Sequence, residues 1–313
     1  MITQQDFVKS FYDFISLKES EFIFEGGAAI KTSRAINQKE GKDTLINIQE
    51  KLFPILDLKG IGKDCAFIGS LGKKKNEKDE SGDIDLAIDA KSFSSNHNVP
   101  ENDLLNYIYQ TLTNELPQVI GFEPELNLMR GLKVLSIGWP IAGDKKNGIV
   151  QLDIIPVVDL KWTDFIYYSP DYRVGESKYK SAHRNWLFSA ILDSRKRVLE
   201  KNENGEDMLV EKKVLRLPDG LYEVKKSFEG VTKRLKRAKT VPGTEKFITS
   251  DPQEFLNITL GEGYTPDQVK TFESLWNIVK STNFKYHESL ETIKKKYMED
   301  LKNAGLKIPN ELA

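Results

Sequence analysis

Two aspartates separated by one apolar residue open the run Asp83-Ile84-Asp85-Leu86-Ala87-Ile88-Asp89. The run alternates with a period of two and so reads as a strand, on which residues two apart point to one face. Asp83 and Asp85 then stand side by side, while Ile84, Leu86 and Ile88 turn the other way, into a core. Adjacent carboxylates repel each other, and a divalent cation between them relieves that cost. Carboxylate oxygens are the donors that hard ions such as Mg²⁺ or Mn²⁺ take. A third acid, Asp153, lies inside the apolar run Ile149-Val150-Gln151-Leu152-Asp153-Ile154-Ile155. A lone buried carboxylate there would be costly without a partner. If the two strands are neighbours, three carboxylates share one face. Such a set could hold two metal ions about 3.5–4 Å apart, which activate an attacking hydroxyl and stabilise a leaving pyrophosphate.

Upstream, the short apolar strand Cys65-Ala66-Phe67-Ile68 stops at Gly69-Ser70. Glycine lets a phosphate approach backbone N–H groups, and the serine hydroxyl adds a donor. A helix starting after Ser70 would add positive potential. Lys73, Lys74 and Lys75 bring further cations.

A strand, a Gly-Ser turn, a spacer, an Asp-apolar-Asp pair and a later strand with a single Asp together resemble the polymerase β-like nucleotidyltransferase superfamily. Here they read FIGSLGKKKNEKDESGDIDLAI and VQLDII, within roughly residues 44 to 160. The resemblance implies a small mixed sheet flanked by helices. It assigns two Mg²⁺ to Asp83, Asp85 and Asp153 as the catalytic set, and the NTP phosphates to Gly69 and Ser70. Lys73, and Lys178 and Arg184 from the following helical region, are the further nucleotide-binding candidates it suggests. Many messenger-synthesising and CCA-adding members carry Thr or Ser shortly after the Gly-Ser turn, where this chain has Lys73 to Lys75. The implied reaction moves an NMP to an acceptor hydroxyl. A 3′ end of RNA or DNA is the first choice of acceptor. A protein, a small molecule or a second nucleotide are the other acceptors, and an inactive nucleic-acid-binding module is the non-enzymatic alternative.

The elements that must position these residues follow from periodicity. Phe7, Phe11, Phe14 and Ile15 suggest a first helix, and Gly26-Gly27 a plain turn. Thr44 caps a helix striped by Leu45, Ile48, Leu52 and Ile55, ending at Gly60 and Gly62. Leu104 to Leu112 reads as a helix. Residues 133–137 and 149–158 read as an antiparallel hairpin. Beyond about residue 165 the pattern turns mainly helical: one stripe from Trp186 to Leu199, another through Phe228, Val231, Leu235 and Ala238, a start at Thr265-Pro266, and a last helix through Leu290, Ile293, Tyr297 and Leu301. Pro218-Asp219-Gly220 marks a β-hairpin. The expectation is an α+β chain: a catalytic domain over 1–165 and a mainly helical acceptor domain over 166–313.

Composition narrows the class. Lys+Arg at 46 nearly cancel Asp+Glu at 47, so attraction to nucleic acid must be local. The stretch Lys225 to Lys239 is such a place: seven cations face Glu229 alone. It reads as a helix whose basic face is either simply solvated or grips a polynucleotide. Cys65 is the only cysteine, so no intramolecular disulfide framework forms, and His97, His183 and His287 lack zinc spacing. Cys65 reads as buried and His183 as a surface or capping residue. The start has no basic-then-apolar signal and no run nears eighteen apolar residues. A cytoplasmic protein without a membrane partner is the expectation.

Overall fold

A computed structural model describes residues 29–71, 73, 76–130, 133–228 and 238–312. The expected first helix and the Gly26-Gly27 turn lie outside these residues. The chain is mixed α+β and divides into two compact units. The pattern change had suggested a boundary at 165/166; the first unit instead runs to Ser181 and also takes in Leu217–Asp219.

The first unit is built, in chain order, from β1 (Ile36–Asn37), α1 (Gln38–Ile55), β2 (Cys65–Ile68), β3 (Glu80–Ser81), β4 (Asp83–Asp89), α2 (Ala90–His97), α3 (Leu104–Ile120), β5 (Leu126–Met129), β6 (Val134–Pro140), β7 (Ile149–Val157) and α4 (Leu160–Ile166). Five strands form one sheet in the order β2-β4-β7-β6-β5. All pairs are antiparallel except β4–β7. That parallel pair needs a long crossover, which the α2–β6 stretch supplies.

Helix α1 starts earlier than expected. Asn37 caps it, its side chain accepting from Lys39 N and Glu40 N, while the Glu40 carboxylate accepts from Asn37 N. This reciprocal box satisfies donors that the first turn leaves open. Thr44 is therefore an interior residue, fully buried. Its hydroxyl donates to the Glu40 carbonyl at 2.6 Å and accepts from Ala142 N at 2.9 Å.

The core lies on one face of the sheet. Ile84, Leu86 and Ile88 of β4 join Val150, Leu152 and Ile154 of β7 against Ile48 and Leu52 of α1 and Ile108 and Leu112 of α3. Each such side chain contributes about 1.5–3 kcal/mol on burial. A one-residue slip of β4 would turn all of its apolar set outward, so this packing fixes the register that sends Asp83 and Asp85 to the opposite face. There Ala87, Ile155 and Val157 form a smaller cluster with Leu160.

The second unit holds the described residues from Ala182 onward apart from Leu217–Asp219. Helix α5 (Ser181–Asp193) leads into β8 (Arg197–Lys201), β9 (Asp207–Arg216), β10 (Gly220–Ser227), β11 (Lys239–Thr240) and β12 (Lys246–Thr249). These form a five-stranded antiparallel sheet, β11-β10-β9-β8, with β12 also on β10. Helices α6 (Pro252–Thr259), α7 (Phe272–Val279) and α8 (Leu290–Asn303) follow. The mainly helical expectation is thus corrected. Val198 and Leu199 belong to β8 rather than to a helical stripe, because α5 ends at Asp193. Lys225 and Lys226 lie on β10, not on a basic helix, and residues 229–237 are outside the described set. The Pro218 hairpin is present, its tip counted with the first unit: Trp162 Nε1 donates to the Leu217 carbonyl at 2.8 Å, and Lys133 pairs with Asp219. Among the described residues no helix is long and apolar enough to cross a membrane.

Candidate metal centre

The parallel register of β4 and β7 sets Asp85 directly across from Asp153 and Asp83 across from Gln151. Carboxylate oxygens of Asp83, Asp85 and Asp153 lie within 4.8 Å of one another. Two oxygens on opposite sides of one Mg²⁺ stand about 4.2 Å apart, twice the usual 2.1 Å bond. Small side-chain rotations would therefore bring all three onto one ion. Asp83 and Asp85 are half-buried and Asp153 is buried.

Burial pushes the Asp85 carboxyl well above the ordinary carboxylate range, and the charges of Asp83 and Asp153 push it further. Burial also raises Asp153, against the opposing effect of the Ser136 and Gln151 side chains. A bound cation reverses each of these penalties. The donor set is all hard oxygen, which fits Mg²⁺ or Mn²⁺ rather than a thiolate- or imidazole-seeking metal.

Neither a protein-family model, a curated protein nor a solved structure matches this chain. What the site can do is set by its own side chains.

Gly69 follows β2, whose last residue Ile68 pairs with Asp85. Its φ is +86°, and a Cβ there would stand 2.9 Å from Asp85 Oδ2. Both the backbone shape and the closeness of the carboxylate demand glycine. Gly69→Ala is expected to cost about 1–2 kcal/mol from the left-handed backbone alone and to displace Asp85. Urea unfolding and the Mg²⁺-induced rise in melting temperature measure the two effects; a variant unchanged in both would contradict the contact. Ser70 is half-buried, and its carbonyl accepts from Lys73 N at 3.1 Å. That is a turn. Among the described residues between Ser70 and β3 no helix starts.

Lys73 is half-buried. Its Nζ donates to the Ser169 carbonyl at 3.0 Å and lies 5.2 Å from the Tyr168 ring centre. Its carbonyl accepts from Tyr172 N at 3.0 Å. Burial lowers its pKa, while Glu176, Asp171 and Asp164 act the other way. Lys73 thus ties the turn after Ser70 to the 168–172 stretch. Lys74 and Lys75 are outside the described residues. Lys178 is exposed.

Arg184 does not fit its expected role. It belongs to the second unit and is fully buried there, with Nη1 donating to the Lys270 carbonyl at 3.1 Å. A guanidinium with no exposed surface has none to offer a triphosphate. His183 is likewise buried rather than superficial, its Nε2 3.0 Å from the Lys307 carbonyl. Asp89 and Asp159 cap α2 and α4, accepting from Ser92 N and Lys161 N. Cys65 is buried, and burial, with Asp64 beside it, pushes its thiol up to about 12.

Two residues of the site escaped the sequence reading. Gln151 is buried, and its Nε2 donates to both oxygens of Asp153 at 3.0 and 2.9 Å. Its Oε1 accepts from Ala29 N at 2.9 Å and Ile30 N at 3.1 Å. The amide therefore holds Asp153 from behind while itself fastened to the backbone. Its signal was available: it lies two residues before Asp153 and so shares its face. Tyr167, at the end of α4, is half-buried. Its hydroxyl pKa is pushed upward by burial, then by the charges of Asp85 and Asp219. No local pattern announces it.

Proposed function

We propose that this protein is a metal-dependent nucleotidyltransferase, moving an NMP from an NTP to an acceptor hydroxyl with release of pyrophosphate. The observation that carries the reading is the set of three carboxylates on adjacent parallel strands, with the Gly69 turn against one of them. The superfamily resemblance assigns the same residues the same roles. Asp83, Asp85 and Asp153 would hold Mg²⁺ or Mn²⁺, which when bound neutralises phosphate charge and lowers the pKa of the acceptor hydroxyl. Gly69 lets the turn after β2 close against Asp85, with its backbone beside the carboxylates. Gln151 fixes the direction of Asp153, and Lys73 shapes the turn that follows Ser70. Positioning and charge neutralisation supply most of the acceleration in such chemistry.

The acceptor proposed is the 3′ hydroxyl of a polynucleotide. Supporting it is local charge: between residues 209 and 247 there are eleven Lys or Arg against five Asp or Glu, in a chain that is nearly neutral. The test incubates the protein with Mg²⁺ or Mn²⁺ and each α-labelled NTP, with and without mixed RNA, beside an Asp83→Ala/Asp85→Ala control. Label moving onto RNA only with intact aspartates is the expected result. Label on the protein, on a small molecule or in a nucleotide product would keep the chemistry and replace the acceptor. No consumption of any NTP, together with RNA binding that ignores the aspartates, would replace the enzyme by a binding module.

A further inference from the structure

We infer that Phe247, Tyr222 and Arg216, on the sheet of the second unit, form a stacking platform for single-stranded nucleic acid. The inference rests on the polynucleotide acceptor proposed above and names the surface that would hold it. Tyr222 of β10 pairs across the ladder with Phe247 of β12, and Arg216 of β9 is paired with Gly220, two residues from Tyr222. Side chains two apart on a strand, and those directly across it, share a face. The three planar groups are therefore grouped on one face. The Tyr222 and Phe247 ring centres are 5.4 Å apart at 71°, and the Arg216 guanidinium lies 4.7 Å from the Tyr222 centre. Phe247 is 46% exposed, so its ring remains open to solvent.

As a cross-strand pair alone, the two rings would stabilise the sheet by roughly 0.2–1 kcal/mol. That contact does not require an open phenyl ring next to a guanidinium. Base stacking does, because every base has a π-face and stacks on aromatic rings and on arginine planes regardless of sequence. The surroundings supply phosphate-binding charge. Lys226 follows Tyr222 by four residues on the same strand and thus lies on the same face, while Lys239 and Lys246, across from Ser227 and Glu223, are exposed on the opposite face of the neighbouring strands. Glu245 pairs with Arg216, and Glu223, next to Tyr222 in sequence, alternates to the opposite face. The described residues 209–228 and 238–247 carry seven Lys or Arg against four Asp or Glu, which favours a polyanion over an acidic or neutral peptide, and the open Phe247 ring favours the unpaired bases of a single strand over a duplex.

The experiment uses the full chain carrying Asp85→Asn, so that no extension occurs during binding. Fluorescence anisotropy is read on a labelled U-rich RNA of about a dozen nucleotides, a dT strand of the same length, and an RNA duplex. Expected are tighter binding to single strands than to duplex and an affinity that falls with salt. Phe247→Ala and Tyr222→Ala should each weaken single-strand binding about tenfold, while Phe247→Trp keeps it. Affinity for either the RNA or the dT strand supports the platform, and their ratio reports whether the 2′-hydroxyl is read. Absence of binding, or alanine variants that both bind as tightly as the unsubstituted sheet, overturns it. Binding that depends on Phe247, in a protein whose parent consumes no NTP, keeps the platform and defeats only the enzymatic reading. NTP consumption onto another acceptor with no RNA binding does the reverse.

Discussion

If the proposed nucleotidyl transfer is the activity, Asp85→Asn will slow it about 10³-fold relative to the parent, and in metal-free, mildly alkaline buffer the variant will melt at a higher temperature. The two effects have one origin. Asp85 is held beside Asp83 and Asp153 on a half-buried strand, and its carboxyl is raised by burial and by both neighbours. A group whose folded pKa is raised keeps its full contribution to stability only at pH below its unfolded value. It loses that contribution as pH climbs through the folded value. Without metal, the parent therefore weakens as pH rises through the window above the usual carboxylate range. Asparagine fills the same space without the charge, and removing the repulsion is worth on the order of 1–3 kcal/mol. At roughly 2–4 °C per kcal/mol for a unit of this size, the melting temperature moves by several degrees. Adding Mg²⁺ should lift the parent and leave the variant nearly unmoved. A residue with a purely structural role would lose stability on substitution, so a lower metal-free melting temperature would count against the metal centre even if activity fell.

Much of this centre is legible in the sequence because β4 is half-buried. Alternation at Ile84, Leu86 and Ile88 fixes which way Asp83 and Asp85 point, and the observed strand has the same bounds, Asp83–Asp89. Asp153 is legible for a different reason: an acid inside an apolar run must have a purpose. What a local pattern cannot contain is the order of strands. The register that sets Asp85 against Asp153 exists only because β7 inserts between β4 and β6. The field of Asp85 acts on Tyr167 through the same tertiary route.

The errors have equally local causes. Thr44 looks like a cap because it precedes an apolar stripe, but the Asn37–Glu40 box satisfies the helix end about two turns earlier. Gly41 and the charged residues between them conceal the first turns. In the second unit, β8, β9 and β10 carry Lys, Arg and Glu among their apolar residues, as strands with solvated faces do. Their alternation is diluted, and isolated apolar pairs such as Val198 and Leu199 then pass for the end of a helix. Arg184 looked available because arginines rarely lie fully buried. Here the carbonyl of Lys270 accepts from it inside the unit.

Gln151→Leu should raise the Mg²⁺ concentration needed for half-maximal activity by about 10–100-fold, the usual range when a group that orients a metal ligand is removed. Leucine fits the space but offers no donor to Asp153 and no acceptor to Ala29 N and Ile30 N. Asp153 then loses the bonds that oppose its burial, so its ionised, metal-binding form becomes harder to reach. Excess Mg²⁺ can compensate, because the carboxylate itself is still present. Turnover should therefore return toward the parental value at saturating metal, whereas Asp85→Asn stays inactive there. Gln151→Glu should be worse than leucine, since it sets a fourth negative charge directly against Asp153. A shift in half-saturation separates this positioning role from simple packing, which would lower the melting temperature and leave the metal requirement where it was. If both Gln151 variants keep the parental Mg²⁺ dependence, Asp153 is not held for metal by this amide, and the bonds from Ala29 and Ile30 are the reason the glutamine is there.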